Sequence, residues 1–202
     1  MNDDEPVDMR THHKLATREA ISTAALRLAV EHGPGGLALV RVRDIAAAAG
    51  VSPRTYNNYF SSREEAICAV ESDRARRLGQ ALLSRPAAEP LGQAIAAAVI
   101  EHYGTAEPDK VGLRMIMSSS ELEGEALKAF TTAEEPLAAA IAERLGTDPA
   151  HDLYPQVMAA AIAGAVRVAA RHWLDPGHTE SFATVLGRAL AHVLPGTDPS
   201  DP

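Results

Sequence analysis

The sequence predicts an all-α protein of about nine helices, with a small N-terminal module followed by a larger helical domain. Strict alternation of apolar and polar residues, the pattern of a half-buried strand, is scarce along the chain. Ala, Leu, Arg and Glu recur instead at helical spacing. Apolar residues make up 46% of the 202 residues and aromatic residues only 4%, a balance typical of an Ala-rich helical protein.

Breaker and cap residues mark where each helix should begin and end. The first helix is predicted over 11–32, because the Gly- and Pro-rich segment 33–36 stops it. A short helix over 42–49 follows, and Ser52 begins another that runs to about residue 59. The remaining helices are predicted over 63–83, 91–105, 109–118, 121–145 with an interruption near Pro136, 152–174 and 179–194.

The charge is unevenly distributed along the chain. The formal net charge is −8, but residues 10–63 carry +5, whereas residues 1–9 carry −4 and residues 64–202 carry −9. A basic N-terminal module on an acidic body is compatible with a nucleic-acid partner, which the net charge alone would disfavour.

Several classes of protein are disfavoured by the sequence. No apolar run reaches the roughly 18–20 residues that span a bilayer, so we expect a cytoplasmic protein without a membrane partner. The single Cys68 excludes a disulfide framework within the chain and a cysteine-based zinc site, and we predict no metal or cofactor. Because no nucleophile elbow, phosphate loop or HExxH motif is present, we predict that the chain is not an enzyme.

Residues 44–60 have the features that a helix-turn-helix requires. Gly50 can adopt the left-handed conformation of a sharp turn after a helix. Ser52 is a strong N-cap residue, and Pro53 suits the first position of the next helix. The N-terminus of that helix should point towards phosphates, and the residues after it should enter the major groove.

The residues after this cap are poor to middling helix formers that can contact nucleic acid. Asn57 and Asn58 carry amides that pair with adenine edges, and Arg54 carries a guanidinium that pairs with guanine. The hydroxyls of Thr55 and Tyr59 can bond phosphates. The stretch therefore predicts a recognition helix, although solvated amides are the alternative.

Two further aromatic residues in this stretch fit the protein core. Phe60 is expected to be buried, whereas Tyr56 suits a core position and a DNA contact equally well.

Short motifs spread over residues 11–65, about a quarter of the chain, form a specific pattern. They are the run 17–33, Arg43-Asp44-Ile45-Ala46, Ala49-Gly50-Val51-Ser52, Thr55, Tyr59-Phe60 and Arg63-Glu64-Glu65. The pattern resembles the tetracycline-repressor (TetR) family of bacterial regulators, in a form frequent in actinobacterial members. The resemblance implies that the first three helices bind DNA, that a variable helical domain binds a ligand, and that two copies pair through the last two long helices.

Two positions depart from the family pattern in ways that affect the site. Arg41 stands where the family often has a Thr or Ser that caps the second helix; it can reach a phosphate but cannot cap. Arg63 replaces the usual Lys at the start of helix four and should keep its phosphate contact. The residues predicted to bind DNA are Arg41, Arg43, Ser52, Arg54, Thr55, Asn57, Asn58, Tyr59 and Arg63, with Arg10 and Lys14 as further phosphate contacts.

Small and apolar residues on the last two helices suggest a helix-pairing surface. They form a four-helix dimer interface or an ordinary intrachain hairpin, and spacing alone favours neither. The family resemblance favours the dimer. The predicted interface residues are Ala160, Gly164, Val168, Phe182, Val185, Leu186, Ala189 and Leu190.

The larger domain contains candidate residues for an apolar pocket. Met side chains adapt to irregular ligands, and pockets are mostly apolar with a few polar groups. Core packing is the alternative for each residue taken singly. The predicted ligand-binding residues are His102, Tyr103, Arg114, Met115, Met117, Phe130 and Trp173, and the domain faintly resembles those of actinobacterial regulators with acyl-CoA-like ligands.

Together these observations predict a homodimeric transcriptional regulator, a repressor, that binds a palindromic operator in double-stranded DNA. Its effector is predicted to be a small, largely apolar or acyl-CoA-like molecule. A helical protein-interaction module and an enzyme without a recognisable motif are the alternatives. The predicted organisation is a flexible acidic tail over 1–10, a helix-turn-helix domain over 11–62, a ligand-binding and dimerisation domain over 63–195 and a flexible tail over 196–202.

Overall fold

The chain is helical throughout the residues that the structure describes. The structure, a computed structural model, describes residues 5–33, 36–104, 109–132, 134–148 and 150–194, with side chains from residue 11 onward except at 75, 104 and 130. Within these ranges the chain forms ten α-helices and one short 3₁₀ helix, and no strand. The all-α prediction is therefore confirmed.

The helices follow one another with short connections. They are α1 (Glu5–His32), the 3₁₀ helix η1 (Leu37–Leu39), α2 (Val42–Ala48), α3 (Pro53–Asn57), α4 (Arg63–Leu83), α5 (Leu91–Gly104), α6 (Lys110–Ser118), α7 (Glu123–Thr132), α8 (Glu134–Leu145), α9 (Leu153–Leu174) and α10 (Phe182–Ala191).

The chain divides into two compact units. The first unit comprises the residues up to Val70 together with Met115–Ala126, and the second comprises Glu71–Arg114 and the residues from Leu127 onward. The first unit therefore includes the start of α4 and parts of α6 and α7, which the sequence predicts to lie in the second domain. The predicted tail over 196–202 lies outside the described residues, as do residues 1–4.

Helix α1 begins earlier than predicted. It begins at Glu5 instead of Thr11, so residues 5–10 belong to the helix and not to a tail. A proline is tolerated in the first turn of a helix, where its missing N–H has no intrahelical partner, and Pro6 falls there. The helix ends at His32, where Gly33 adopts a φ of +70°.

The first unit is built from α1 packing on α2 and α2 packing on α3. Ile21 and Ala25 on α1 and Ile45 and Ala46 on α2 are completely buried. Gly50, with φ +69°, makes the turn between α2 and α3. The prediction of a helix-turn-helix around this glycine is confirmed.

In the second unit, α9 packs along α8 and α10, and α10 packs on α5. Helices α4 and α8 approach closely at Gly79, since a Cβ atom added there would lie 2.9 Å from the carbonyl oxygen of Pro136. The break predicted near Pro136 lies between α7 and α8, so Pro136 stands in the first turn of α8. Proline is tolerated at that position, which explains why the break precedes it.

One arginine organises the connector between α4 and α5. Arg144, in the last turn of α8, donates from Nη1 to the carbonyl oxygens of Leu82 (3.4 Å) and Arg85 (3.0 Å), and from Nη2 to those of Pro86 (3.0 Å) and Glu89 (3.2 Å). The carbonyl oxygens of Leu82 and Pro86 also accept from the N–H groups of Arg85 (3.3 Å) and Glu89 (3.1 Å). Those of Arg85 and Glu89 lie beyond the end of α4, where carbonyl groups otherwise depend on water. The connector is thereby joined to α8 through one side chain.

Helix α9 is unusually apolar. Within the described ranges it is the one helix long and apolar enough, by length and composition, to cross a membrane. The sequence contains no continuous apolar run of that length, but Ala and Val raise the mean hydropathy of this helix, which contains few charges. Core helices pass the same test, and α9 packs between α8 and α10, so the finding is weak evidence for a membrane span.

Candidate nucleic-acid interface

The predicted recognition helix, α3, is short and firmly capped. Ser52 Oγ accepts a hydrogen bond from the backbone N–H of Thr55 (3.0 Å), and the hydroxyls of the two residues lie 2.9 Å apart. The helix ends at Asn57, with Asn58 as C-cap, which is earlier than predicted. Arg54, Asn57 and Asn58 are exposed, so the three side chains predicted to contact bases are accessible.

Two aromatic residues anchor α3 from behind. Tyr56 and Phe60 are buried, and their ring centroids lie 5.9 Å apart. The Tyr56 hydroxyl donates to the carbonyl oxygen of Ser62 (2.8 Å), which joins α3 to the start of α4. Burial, reinforced by Glu65 and Glu64, raises the pKa of Tyr56 to about 12. Tyr56 is therefore a core residue, which resolves the two alternatives left by the sequence.

The start of α4 is capped by neighbouring polar residues. Ser62 Oγ accepts from the N–H of Glu65 (3.0 Å), and a Glu65 carboxylate oxygen accepts from the N–H of Ser61 (2.8 Å) and from its hydroxyl (2.6 Å). This reciprocal arrangement satisfies backbone donors at the helix start. The cap fixes the backbone of Ser62, whose carbonyl oxygen accepts the bond from the Tyr56 hydroxyl.

Two predicted phosphate-binding arginines are exposed near the start of α2. Arg41 is the N-cap residue and makes no side-chain capping bond, in agreement with the expectation that arginine cannot cap. Arg43 lies 3.4 Å from Asp44, with both side chains largely exposed. Both guanidinium groups are therefore accessible.

Arg63 and Arg18 are bonded within the first unit. Arg63 Nη1 donates to the carbonyl oxygens of Ala38 (3.1 Å) and Val40 (3.2 Å), and its Nε donates to Glu64 (2.6 Å). Arg18 Nη1 lies 3.4 Å from the carbonyl oxygen of Tyr59. Sequence reasoning missed Arg18, because a contact spanning 41 positions leaves no local pattern. Among the other predicted contacts, Lys14 is exposed, Tyr59 is half-buried, and Arg10 lies outside the residues whose side chains are described.

The predicted ligand-binding residues do not form one group. Met115 and Met117 belong to the first unit, and the others belong to the second. Arg114 donates from Nη2 to the carbonyl oxygen of Leu174 (2.8 Å), at the end of α9. The side chain of Phe130 lies outside the described residues.

An aromatic cluster forms part of the core of the second unit. The ring centroid of Phe182 lies 5.9 Å from that of Tyr103 and 5.3 Å from that of Trp173, and all three residues are buried. Burial raises the pKa of Tyr103. The Lys110 ammonium lies 4.6 Å from the centroid of the Trp173 ring. Core packing, the alternative considered for Tyr103 and Trp173, therefore describes both residues.

Several residues predicted for a dimer interface are buried within the protomer. On α10, Phe182, Val185, Leu186 and Leu190 face the core, so their assignment to a dimer interface is wrong. Helices α9 and α5 of the same chain cover the apolar face of α10, so these side chains are not available to a partner. Ala189 is half-buried.

The outward face of α9 remains accessible. Leu153, Val157 and Val168 are 71%, 53% and 53% exposed, and Ala160 and Gly164 lie between them at helical spacing. These five residues are called the α9 stripe below.

The second unit contains two clefts large enough for a small molecule. One, of about 440 Å³, is lined by residues of α7, α8 and α9: Thr131, Glu134, Glu135, Ala138, Ala139, Gln156 and, from the loop before α9, Ala150. The other, of about 460 Å³, is lined by Ala81, Ser84, Arg85, Pro86, Ala98, Glu101 and His102. Of the predicted ligand residues, only His102 lines one of these two clefts. Burial, with a further contribution from Arg74 and Arg77, lowers the pKa of His102.

The chain is similar to known transcriptional regulators over most of its length. The family model for bacterial regulatory proteins of the tetR family matches residues 21–67, and that for the MftR C-terminal domain matches residues 89–198. The Mycobacterium tuberculosis protein described as the mycofactocin biosynthesis transcriptional regulator MftR is 28% identical over 186 residues, covering 90% of this chain and 91% of the relative. The HTH-type transcriptional regulator TcmR from Streptomyces glaucescens is 30% identical over 191 residues, covering 89% and 83%.

A solved structure with the same fold extends the comparison. It is that of Thermus thermophilus FadR, a TetR-family transcriptional repressor, in complex with lauroyl-CoA. The TM-score is 0.52 and the sequence identity 24%, with coverage of 88% of this chain and 93% of the other. At this identity the likeness supports the fold.

Proposed function

Since the chain belongs to the TetR family of bacterial transcriptional regulators, we propose that it represses transcription as a homodimer that binds a palindromic operator and is controlled by a small effector. The observation that carries this proposal is the exposed, well-capped helix α3 beside the exposed Arg41 and Arg43. No catalytic role is proposed, and the related proteins are transcriptional regulators. We propose a cytoplasmic location, where the operator would be found.

Base recognition is assigned to the exposed side chains of α3. Asn57 and Asn58 can pair bidentately with adenine, and Arg54 can pair with guanine, in the major groove. Arg41 and Arg43, which are exposed, would neutralise phosphates next to this groove, and the half-buried Thr55 and Tyr59 would add hydroxyl groups. Counterion release from the phosphates would make the affinity fall steeply with salt concentration.

The DNA-binding proposal is tested by selecting a duplex from a random-sequence library with the full-length protein. Fluorescence anisotropy then compares the selected duplex with a scrambled one at several salt concentrations. We expect an enriched palindrome, two protomers per duplex and a steep salt dependence. Failure to enrich any sequence at low salt would overturn the proposal.

Pairing of two protomers is assigned to the α9 stripe. Its residues lie on one side of a long helix, their side chains are apolar or small, and solvent-exposed apolar surface of this kind favours a partner. Gly164 and Ala160 would allow the backbones of two α9 helices to approach closely. A palindromic operator has two half-sites roughly 34 Å apart, one turn of DNA, and a pair of protomers would supply one α3 to each.

Gly164 offers a clean test of this pairing. A Cβ atom added there meets nothing within 4 Å in the protomer, so a larger side chain should disturb only a partner. We expect Gly164→Leu and Val168→Glu to convert dimers to monomers in sedimentation equilibrium, with unchanged helical content. Gly124→Leu, at another helical glycine with open space around its Cβ, is the matched control. A wild-type monomer, or a dimeric Gly164→Leu variant, would refute the assignment.

The effector is assigned to the 460 Å³ cleft, which is within the range of roughly 300–1,000 Å³ typical of ligand sites. Ala81, Ala98 and Pro86 supply an apolar wall, and Arg85, Glu101 and Ser84 supply polar groups. An apolar body with one polar end would fit this lining. Helix α4 contributes to this wall and continues without a break into the first unit, so a ligand that prefers one position of α4 would alter DNA binding.

Trp173, the only tryptophan in the chain, provides the assay for the effector. Its fluorescence would be followed during titration with lauroyl-CoA and, separately, with laurate. Ala81→Phe should fill the 460 Å³ cleft and abolish the response, whereas Ala139→Phe, in the 440 Å³ cleft, should not. The reverse pattern would move the site to the other cleft.

A further inference from the structure

We propose that Arg63 and Arg18 are positioning residues, which hold the segment before α2 and the end of α3 in place and do not neutralise DNA phosphates. This inference rests on the proposed DNA-binding function. It separates these two arginines from Arg41 and Arg43, whose side chains are exposed. Arg43 also lies near a carboxylate, Asp44 at 3.4 Å, but its side chain is 67% exposed, against 28% for Arg63.

The contacts of Arg63 point inward. Its side chain is only 28% exposed, and its Nη1 bonds the carbonyl groups of Ala38, in η1, and Val40, in the connection between η1 and α2. Arg41, the N-cap residue of α2, makes no capping bond, so this junction lacks the side-chain cap that usually secures a helix start. Arg63 secures the junction in another way. It donates to backbone carbonyl groups that precede α2, whereas a capping side chain would accept from N–H groups of α2 itself.

Electrostatics also disfavour a phosphate contact at Arg63. Its Nε donates to the Glu64 carboxylate at 2.6 Å, so the charge of the guanidinium is already compensated. A phosphate brought to this position would meet the carboxylate as well. Arg41, by contrast, is exposed and has no ion pair among the residues that the structure describes.

Arg18 plays the corresponding role at the end of α3. Its guanidinium carbon lies 4.5 Å from the centroid of the Phe60 ring, and its Nη1 lies 3.4 Å from the carbonyl oxygen of Tyr59. A guanidinium stacked on an aromatic face is attracted by the ring quadrupole. Arg18 thereby fixes Tyr59 and Phe60, the two residues after the C-cap Asn58, to α1.

Salt dependence distinguishes the two roles. The DNA association constant K falls as salt rises, and removing one bond to a phosphate reduces the magnitude of the slope of log K against log salt by about 0.9. In a dimer, Arg41→Gln should lower the slope by about 1.8 and leave the melting temperature unchanged. Arg63→Gln should leave the slope unchanged, lower the melting temperature and reduce the preference for the selected duplex over the scrambled one by about tenfold. Arg18→Gln should behave like Arg63→Gln.

Arg63→Lys keeps the charge and tests the role of geometry. A single ammonium can supply a phosphate contact but cannot reproduce the guanidinium bonds to Glu64, Ala38 and Val40 together. We expect this variant to resemble Arg63→Gln in melting temperature and in duplex preference. It also replaces Arg63→Gln if the latter does not fold.

Three results would overturn the proposal. The first is a slope reduced in magnitude by about 1.8 in Arg63→Gln with an unchanged melting temperature. The second is a wild-type melting temperature and duplex preference in Arg63→Lys. The third is a change of slope in Arg18→Gln. If the wild-type protein selects no duplex, the DNA-binding function fails. The melting temperatures of Arg63→Gln and Arg18→Gln, compared with Arg41→Gln, then still support or refute the positioning role.

Discussion

Replacing Arg144 should destabilise the protein through the connector between α4 and α5. Arg144→Met keeps the length of the side chain and removes its four bonds to carbonyl oxygens. A hydrogen bond with a charged partner contributes about 1.5–3 kcal/mol, and the two bonds at 3.0 Å should dominate. Because the site is partly exposed and water can replace some contacts, we expect a loss of about 2–3 kcal/mol in the free energy of unfolding.

The assay is thermal unfolding followed by two probes. For a chain of this size each kcal/mol shifts the melting temperature by roughly 2–4 °C, so we expect a decrease of roughly 5–10 °C. Circular dichroism reports the whole chain, and Trp173 fluorescence reports the second unit, which contains Arg144. Arg171→Met, at an exposed position on α9, is the matched control and should change stability by less than about 0.5 kcal/mol.

The result that would refute the reasoning is a melting temperature of Arg144→Met equal to that of Arg171→Met. It would mean that water satisfies the connector carbonyl groups as well as the guanidinium does. The melting temperature of Arg144→Lys should lie between those of the other two variants. The carbonyl groups are spread over eight residues, and an ammonium lacks the fixed fork with which the guanidinium reaches them.

Three further predictions concern other parts of the molecule. Gly79→Ala should destabilise the protein by about 1–3 kcal/mol in urea unfolding, since its Cβ would lie 2.9 Å from the carbonyl oxygen of Pro136; Gly124→Ala, with open space, should be neutral or stabilising. Asn58→Ala should weaken binding to the selected duplex by about 1–3 kcal/mol in anisotropy titrations and leave the scrambled duplex unaffected; an equal loss on both would assign Asn58 to the backbone. Because the pKa of Tyr56 is raised to about 12, the folded state retains the proton longer than the unfolded state, so stability should fall between pH 10 and pH 12. Tyr56→Phe should reduce that fall in urea titrations, and an unchanged pH dependence would contradict the assignment.

Local signals made the helix-turn-helix predictable. Gly50 and Ser52 each determine the backbone within a few residues, and the structure places a left-handed glycine and a capping hydroxyl at these positions. Such features depend on the chemistry of one residue and its immediate neighbours. The order and type of the helices were predictable for the same reason.

Contacts between distant residues were not predictable. The carbonyl groups bonded by Arg63 lie more than 20 positions away, and those bonded by Arg144 lie more than 50 positions away. Side-chain type suggested an exposed cation at Arg63, because a partner carbonyl group has no sequence signature. Arg63 was therefore predicted as a phosphate contact, although its guanidinium is bonded within the chain.

The apolar faces of the last two helices show the same limit. The spacing of Val185 and Leu186 indicated a buried face but not which helix would cover it. In the structure α9 and α5 of the same chain cover that face, whereas Val157 and Val168 on α9 remain exposed. Periodicity identifies a face, and only the tertiary fold determines whether its partner belongs to the same chain.

Pairing through the α9 stripe would make the cellular amount of this protein a variable in gene control. If two protomers must pair through that stripe before they occupy an operator, occupancy at low abundance rises with the square of protomer concentration. A twofold change in expression would then give about a fourfold change in occupancy, so occupancy responds more steeply than in proportion even without an effector. Substitutions in the α9 stripe would change the concentration at which protomers pair without altering a single contact to DNA.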